Sequence, residues 1–135
     1  MTRNKLSLFV AVVALAAAVL ACGFSASTAR ITEAFLSADP DGAEPTNVFF
    51  PEETFYLIVE LANAPDDTRV KAVWVAVDVD EVDFDTVIDE AELETGDGRL
   101  TFDLANDELW PAGNYKVDVY LNDNVVETLE FSVEG

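Results

Sequence analysis

From residue 30 onward, apolar and polar positions alternate with a period of two, which is the signature of half-buried β-strands. Tyr115, Val117, Val119 and Leu121 fall on one face while Lys116, Asp118 and Tyr120 fall on the other. Leu129, Phe131 and Val133 oppose Thr128, Glu130 and Ser132, and Leu100, Phe102 and Leu104 oppose Thr101 and Asp103. One face of each strand is expected in a core and the other in water. The pattern predicts seven strands: Arg30 to Ser37, Thr54 to Ala62, Arg69 to Val79, Thr86 to Leu93, Arg99 to Leu104, Asn114 to Leu121 and Val125 to Val133. Clusters of Asp, Gly, Asn and Pro separate them, and no window carries a helical period.

The connections fit this reading. Asn122-Asp123-Asn124 supplies residues that tolerate a left-handed backbone and would close a tight hairpin between the last two strands, and Gly96-Asp97-Gly98 is a second turn. The proline-rich stretch from 38 to 53 reads as a loop with a short edge segment near Asn47 to Phe50, whose Phe49 and Phe50 should dock on the strands. Val73, Val75, Val77 and Val79 lie opposite Trp74, so their strand is apolar on both sides. That fits a central strand partly covered by a loop; where the valines are exposed they simply suit a strand or, alternatively, form a face presented to a partner.

Ahead of this region the texture is different. Arg3 and Lys5 precede an unbroken apolar run from Leu8 to Ala21. Fourteen residues are few for a bilayer, which takes about 20, but they suit the apolar core of a secretory signal. The run ends in Val19-Leu20-Ala21-Cys22, which resembles the bacterial lipobox; Val19 stands where leucine is commoner. The resemblance implies that the Cys22 thiol receives a diacylglyceryl group and that cleavage leaves Cys22 as the new N-terminus. On this reading residues 1–21 are a lipoprotein signal peptide, 22–29 a lipidated cysteine and flexible tether, and 30–135 one domain. Cys22 is the only cysteine, so no disulfide can form within the chain.

Composition sharpens the picture. Of 135 residues, 27 are Asp or Glu and 7 are Lys or Arg. Loss of residues 1–21 would remove two of the bases and leave a formal charge of −22. Such a body repels nucleic acid and anionic lipid, so acyl chains would be its membrane affinity. The chain has no histidine, which removes Ser-His-Asp and Cys-His catalysis and most zinc sites. No enzymatic activity and no obligatory cofactor are expected.

The strand region itself resembles small immunoglobulin-like domains of bacterial surface proteins. Trp74, in VKAVWVAV, stands where that fold places its core tryptophan; Tyr115, in WPAGNYKVDVY, resembles the tyrosine corner at the start of a late strand. The resemblance implies an all-β, seven-stranded antiparallel sandwich with Trp74 and Tyr115 in structural roles. The resulting expectation is an exported protein, lipid-anchored to the cell membrane or outer membrane, that displays a non-catalytic binding or structural module to an unidentified envelope partner.

Two alternatives stay open. Residues 78 to 90, DVDEVDFDTVIDE, hold seven carboxylates, a density suited to hard cations. Against the calcium loop of an EF-hand the spacing fails: from Asp78 the third ligand falls on Val82, and from Glu81 the required glycine falls on Thr86. A looser calcium site drawing on Asp80, Asp83 and Asp85 would make this a calcium-dependent adhesion or sensing module. Otherwise these residues form an acidic rim, with Val82 and Phe84 turned inward. An envelope protease inhibitor on the same fold is the second alternative.

Overall fold

The period-two segments are strands in the computed structural model, which describes residues 28–135; the apolar leader and Cys22 lie outside the described residues. The elements are β1 (Arg30–Ser37), β2 (Val48–Phe49), β3 (Phe55–Ala62), β4 (Thr68–Val79), β5 (Thr86–Thr95), β6 (Gly98–Leu104), β7 (Gly113–Leu121) and β8 (Asn124–Val133). They form two sheets, β1-β3-β6 and β2-β8-β7-β4-β5. All neighbours are antiparallel except β2 and β8, which run parallel. The described fold thus has eight strands rather than the seven expected, and is not wholly antiparallel. The extra element is the edge segment near Asn47.

Its direction has a local cause. After β1 the chain doubles back, with Ala38 N–H donating to Glu44 O at 3.0 Å and Thr46 N–H to Leu36 O at 3.0 Å. A second reversal follows at Asn47, where Val48 N–H donates to the Thr46 hydroxyl at 3.1 Å, so Val48 and Phe49 run the same way as β1 but on the other sheet, beside Ser132 and Val133. Asn122 and Asp123 both have positive φ, 48° and 71°, which gives the two-residue β7–β8 hairpin its twist. Gly96-Asp97 is a turn of another kind: it carries the chain from β5 in one sheet to β6 in the other.

The inward faces of both sheets make one core. Trp74 in β4 is fully buried, as are Phe49, Phe55, Leu57, Val59, Val70, Val117 and Val119. The four valines of β4 do not share one face as the alternation suggested. A register shift between Ala76 and Asp78 returns Val79 to the core side, while Val73 and Val75 stay on the outer face. These two are only 6% and 4% exposed. Val73 is flanked in the sheet by Asp118 and Glu90, and Val75 by Lys116 and Val87. The stems of long side chains such as Lys116 and Glu90 shield apolar surface while their charged heads stay wet. Lys116 pairs with Asp118 at 3.5 Å, and Lys71 Nζ sits 4.5 Å from the centre of the Tyr120 ring.

The topology separates two ends. Thr28, residues 63–67, Gly96-Asp97 and Asn122-Asp123 lie at the end where the chain enters, since Arg30 pairs with Ala62 and Thr68 with Thr95. Residues 50–54, 80–85, 105–112 and the C-terminus lie at the far end, whereas the loop after β1 starts there and folds back along its sheet, with Gly42 against Phe35 and Ile58 and Asp41 O accepting the Arg99 guanidinium at 3.0 Å.

Candidate functional site

The acidic stretch lies at the far end. Asp78, Asp80, Asp83 and Asp85 are all exposed. The loop is closed by backbone bonds from Asp85 N–H to Val77 O at 3.1 Å and Val82 N–H to Val79 O at 3.2 Å. Its tight path places Glu81 and Asp85 at positive φ, 65° and 55°, uncommon for residues other than glycine. Val82 packs against the core as expected, but Phe84 does not. It sits at the loop tip between residues fixed by those turns, 74% exposed. Among the described residues no three acidic, cysteine or histidine side chains gather closely enough to hold a metal ion, so Asp80, Asp83 and Asp85 are not brought together as a ligand set.

Two other apolar tips share this end. Phe50 is 60% exposed, so of the two loop phenylalanines only Phe49 docks on the sandwich; Leu109 is 67% exposed. Phe49 and Phe50 are neighbours in an extended segment, so their side chains face opposite ways and only one can enter the core. The sequence pattern places Phe50 and Phe84 inward and does not single out Leu109, because none of the three belongs to a strand's alternating face. The signal present was local: Phe84 is flanked by Asp83 and Asp85, and Leu109 follows Asp107 and Glu108.

The loops bearing the tips are tied together. Trp110 N–H donates to Pro51 O at 2.9 Å, and its indole Nε1–H to Glu53 O at 3.0 Å. Asp80 N–H donates to Ala112 O at 3.3 Å, so residues 110–112 bridge the loop of Phe50 to the loop of Phe84. Phe50 N–H in turn donates to the Glu53 carboxylate at 2.7 Å. Gly113, at φ 148°, lets β7 begin against β4, because a Cβ there would collide with the Asp78 backbone.

Beneath the rim lies an aromatic cluster. Phe55 is its hub, stacked on Trp110 with ring centres 4.5 Å apart and edge-on to Phe131 at 4.8 Å and Phe49 at 4.9 Å. Tyr115 stacks on Phe131 at 5.4 Å, and its hydroxyl donates to Pro111 O at 2.6 Å, four residues upstream. Burial pushes the Tyr115 phenol up to about 12. Trp74 lies 6.0 Å from Phe131, and its indole N–H has no partner among the described residues. Leaving such a donor unpaired costs about 1–3 kcal/mol, which the burial of a large ring must exceed.

Asp39 organises the loop between β1 and β2. Its carboxylate accepts the Ser37 hydroxyl at 2.7 Å and the backbone N–H groups of Asp41, Ala43 and Glu44. Chiefly through the Ser37 bond, it is held down to about 2. Two open grooves flank β8. One, of about 450 Å³, is lined by Asn47, Val77, Asn114 and Glu130; the other, about 390 Å³, lies between β1 and β8. Their polar groups can accept and donate hydrogen bonds, but the lining sets no base beside a nucleophile.

No family model matches the chain, and a search of curated proteins finds no match. Solved structures do match. An immunoglobulin-like protein from Pseudomonas aeruginosa superposes with a TM-score of 0.52 at 16% identity, over 82% of this chain and 99% of that one. The C-terminal domain of wzt gives 0.53 at 9% identity, over 82% of this chain and 75% of that one. A Pseudomonas fluorescens alkylpurine DNA glycosylase bound to abasic-site DNA gives 0.53 at 16% identity; the match covers 81% of this chain but spans only 31% of the glycosylase. At such identities the likeness establishes the fold, an immunoglobulin-like arrangement of two β-sheets, and fold does not carry activity with it.

Proposed function

We propose that this protein is an exported lipoprotein, anchored to an envelope membrane through Cys22, that displays its immunoglobulin-like domain outside the cytoplasm as a non-catalytic binding or structural module. The carrying observation is the position of the chain's only cysteine, in Val19-Leu20-Ala21-Cys22 at the end of a fourteen-residue apolar run behind two basic residues. Two acyl chains would give stable anchoring without help from a body whose acidic surface repels anionic lipid. The entry point supports the same reading. Thr28 lies at one end of the sandwich, where its hydroxyl donates to Asn63 O at 2.9 Å, so a tether from Cys22 leaves the far end directed away from the membrane.

Replacing Cys22 with alanine tests the anchor. The variant is expected to leave the membrane fraction, and the wild-type N-terminal peptide is expected to carry the mass of a diacylglyceryl group on Cys22. An unchanged distribution on fractionation, or an unmodified cysteine, would overturn the reading.

A further inference from the structure

We propose that the far end of the sandwich is a docking surface for a cationic protein partner, seated through apolar groups on Phe50, Phe84 and Leu109. This deepens the reading as a binding module and rests on it. The three side chains are the most exposed of the large hydrophobic residues among the described positions. They stand on three loops at one end, and residues 110–112 hydrogen-bond to the other two loops at Pro51, Glu53 and Asp80. Apolar side chains held out by fixed loops bind with little ordering cost, which is how interface anchors gain affinity.

Charge decides what seats there. Residues 50–54, 79–86, 104–113 and 134–135, which carry the tips and their surroundings, contain nine Asp and Glu and no Lys or Arg; the nearby loop of Asp41 turns away down the sheet, where Asp41 O accepts the Arg99 guanidinium at 3.0 Å. Each tip is interleaved with acids: Phe50 precedes Glu52 and Glu53, Phe84 lies between Asp83 and Asp85, and Leu109 follows Asp107 and Glu108. The complementary surface carries Lys and Arg around apolar anchors, and the field of this end would raise its rate of encounter. Nucleic acid and anionic lipid have the wrong sign, and a second copy would bring an equally acidic rim against this one.

The test uses the full chain in nonionic detergent micelles, with empty micelles as blank. The probe is a fluorescent amphipathic helical peptide of Leu, Trp and Lys, about 20 residues and so about 30 Å long, enough to lie across several loops. The triple variant Phe50→Ser, Phe84→Ser, Leu109→Ser is expected to weaken its binding about tenfold or more, as loss of interface anchors does. The control Leu93→Ser, Val125→Ser, Val126→Ser, which removes exposed apolar groups elsewhere, is expected to leave affinity within about twofold. Raising salt from about 50 to about 300 mM is expected to weaken wild-type binding several-fold as the screening length shortens.

Equal binding of a Ser-Lys peptide lacking Leu and Trp, or an unchanged affinity of the tip variant, would overturn the proposal in favour of an acidic surface without a site. Tip-dependent self-association in sedimentation without peptide would assign the surface to a second copy. Tip-dependent capture of phosphatidylcholine vesicles would assign it to a membrane. The Cys22→Ala chain is expected to bind the peptide as wild type does, so failure of the anchor and failure of this site give different results.

Discussion

At the entry end, Arg69 pairs with Asp123 at 2.6 Å, Asn122 exchanges bonds with the Arg69 backbone at 2.9 Å, and Asp97 accepts Ala64 N–H at 2.6 Å. The core beneath is aliphatic: Leu61, Val70, Ala72, Val119 and Leu121. At the far end the loops are drawn together by backbone bonds, and the core beneath is aromatic, with Phe49, Phe55, Trp110, Tyr115 and Phe131 in mutual contact. One end is stitched by polar side chains at the surface and the other is held from inside by rings. The difference teaches where freedom lies. Because the far end draws its stability from buried rings, its surface can carry uncompensated acids and exposed apolar tips.

Removing the hub is the hardest blow to this comparison. Phe55→Ala deletes a fully buried ring that contacts five other aromatic side chains, and is expected to cost about 3–5 kcal/mol. Val119→Ala, equally buried in the aliphatic half, removes two methyl groups and is expected to cost about 2 kcal/mol with its cavity. Denaturant unfolding of both variants measures the pair. Equal losses would mean that the rings contribute no more than the aliphatic half.

A smaller loss is expected from Tyr115→Phe, which keeps the ring and removes only the bond to Pro111 O. Pro111 is exposed, so water can take over its carbonyl and the loss is expected to be about 1 kcal/mol. The variant also has a pH signature. The folded state holds the phenol neutral up to about 12, above the ordinary value of 10.0, so its contribution is complete below pH 10. It is lost as pH rises from 10 toward 12, because the unfolded chain ionises first. Stability of Tyr115→Phe should decline less steeply across that window, and an identical alkaline decline would dissociate the far-end rings from the hydroxyl.

The reach of sequence reasoning followed the same division. Strands whose faces alternate were legible, and the structure places β1, β3, β4, β6, β7 and β8 within a residue or so of the expected bounds. The bulge that turns Val79 inward was not, because a register shift leaves no trace in a run of valines. Neither was the parallel pairing of β2, which depends on the chain reversing after Asp39, reversing again at Asn47 and changing sheets. At the candidate site, the acidic rim was visible as composition. The spacing of the carboxylates around it places Phe84 inward, and only the turn at Glu81 and Asp85 reveals that it points out. Phe50 and Leu109 depend in the same way on loop paths that contacts between loops determine.

The gentlest probe of the comparison is Arg69→Ala at the entry end. The ion pair with Asp123 is short, but the partners are 41% and 61% exposed, so water and salt already screen them. Its loss is expected to cost under about 1 kcal/mol, and the cost should shrink further in high salt. The backbone of residue 69 keeps both bonds to Asn122 whatever side chain it bears, so the loop register survives the substitution. Thermal unfolding at low and high ionic strength reads both effects. A salt-independent loss of about 2 kcal/mol or more, beyond what exposed pairs contribute, would show that the entry end is locked by more than surface stitching and would erase its contrast with the ring-filled end.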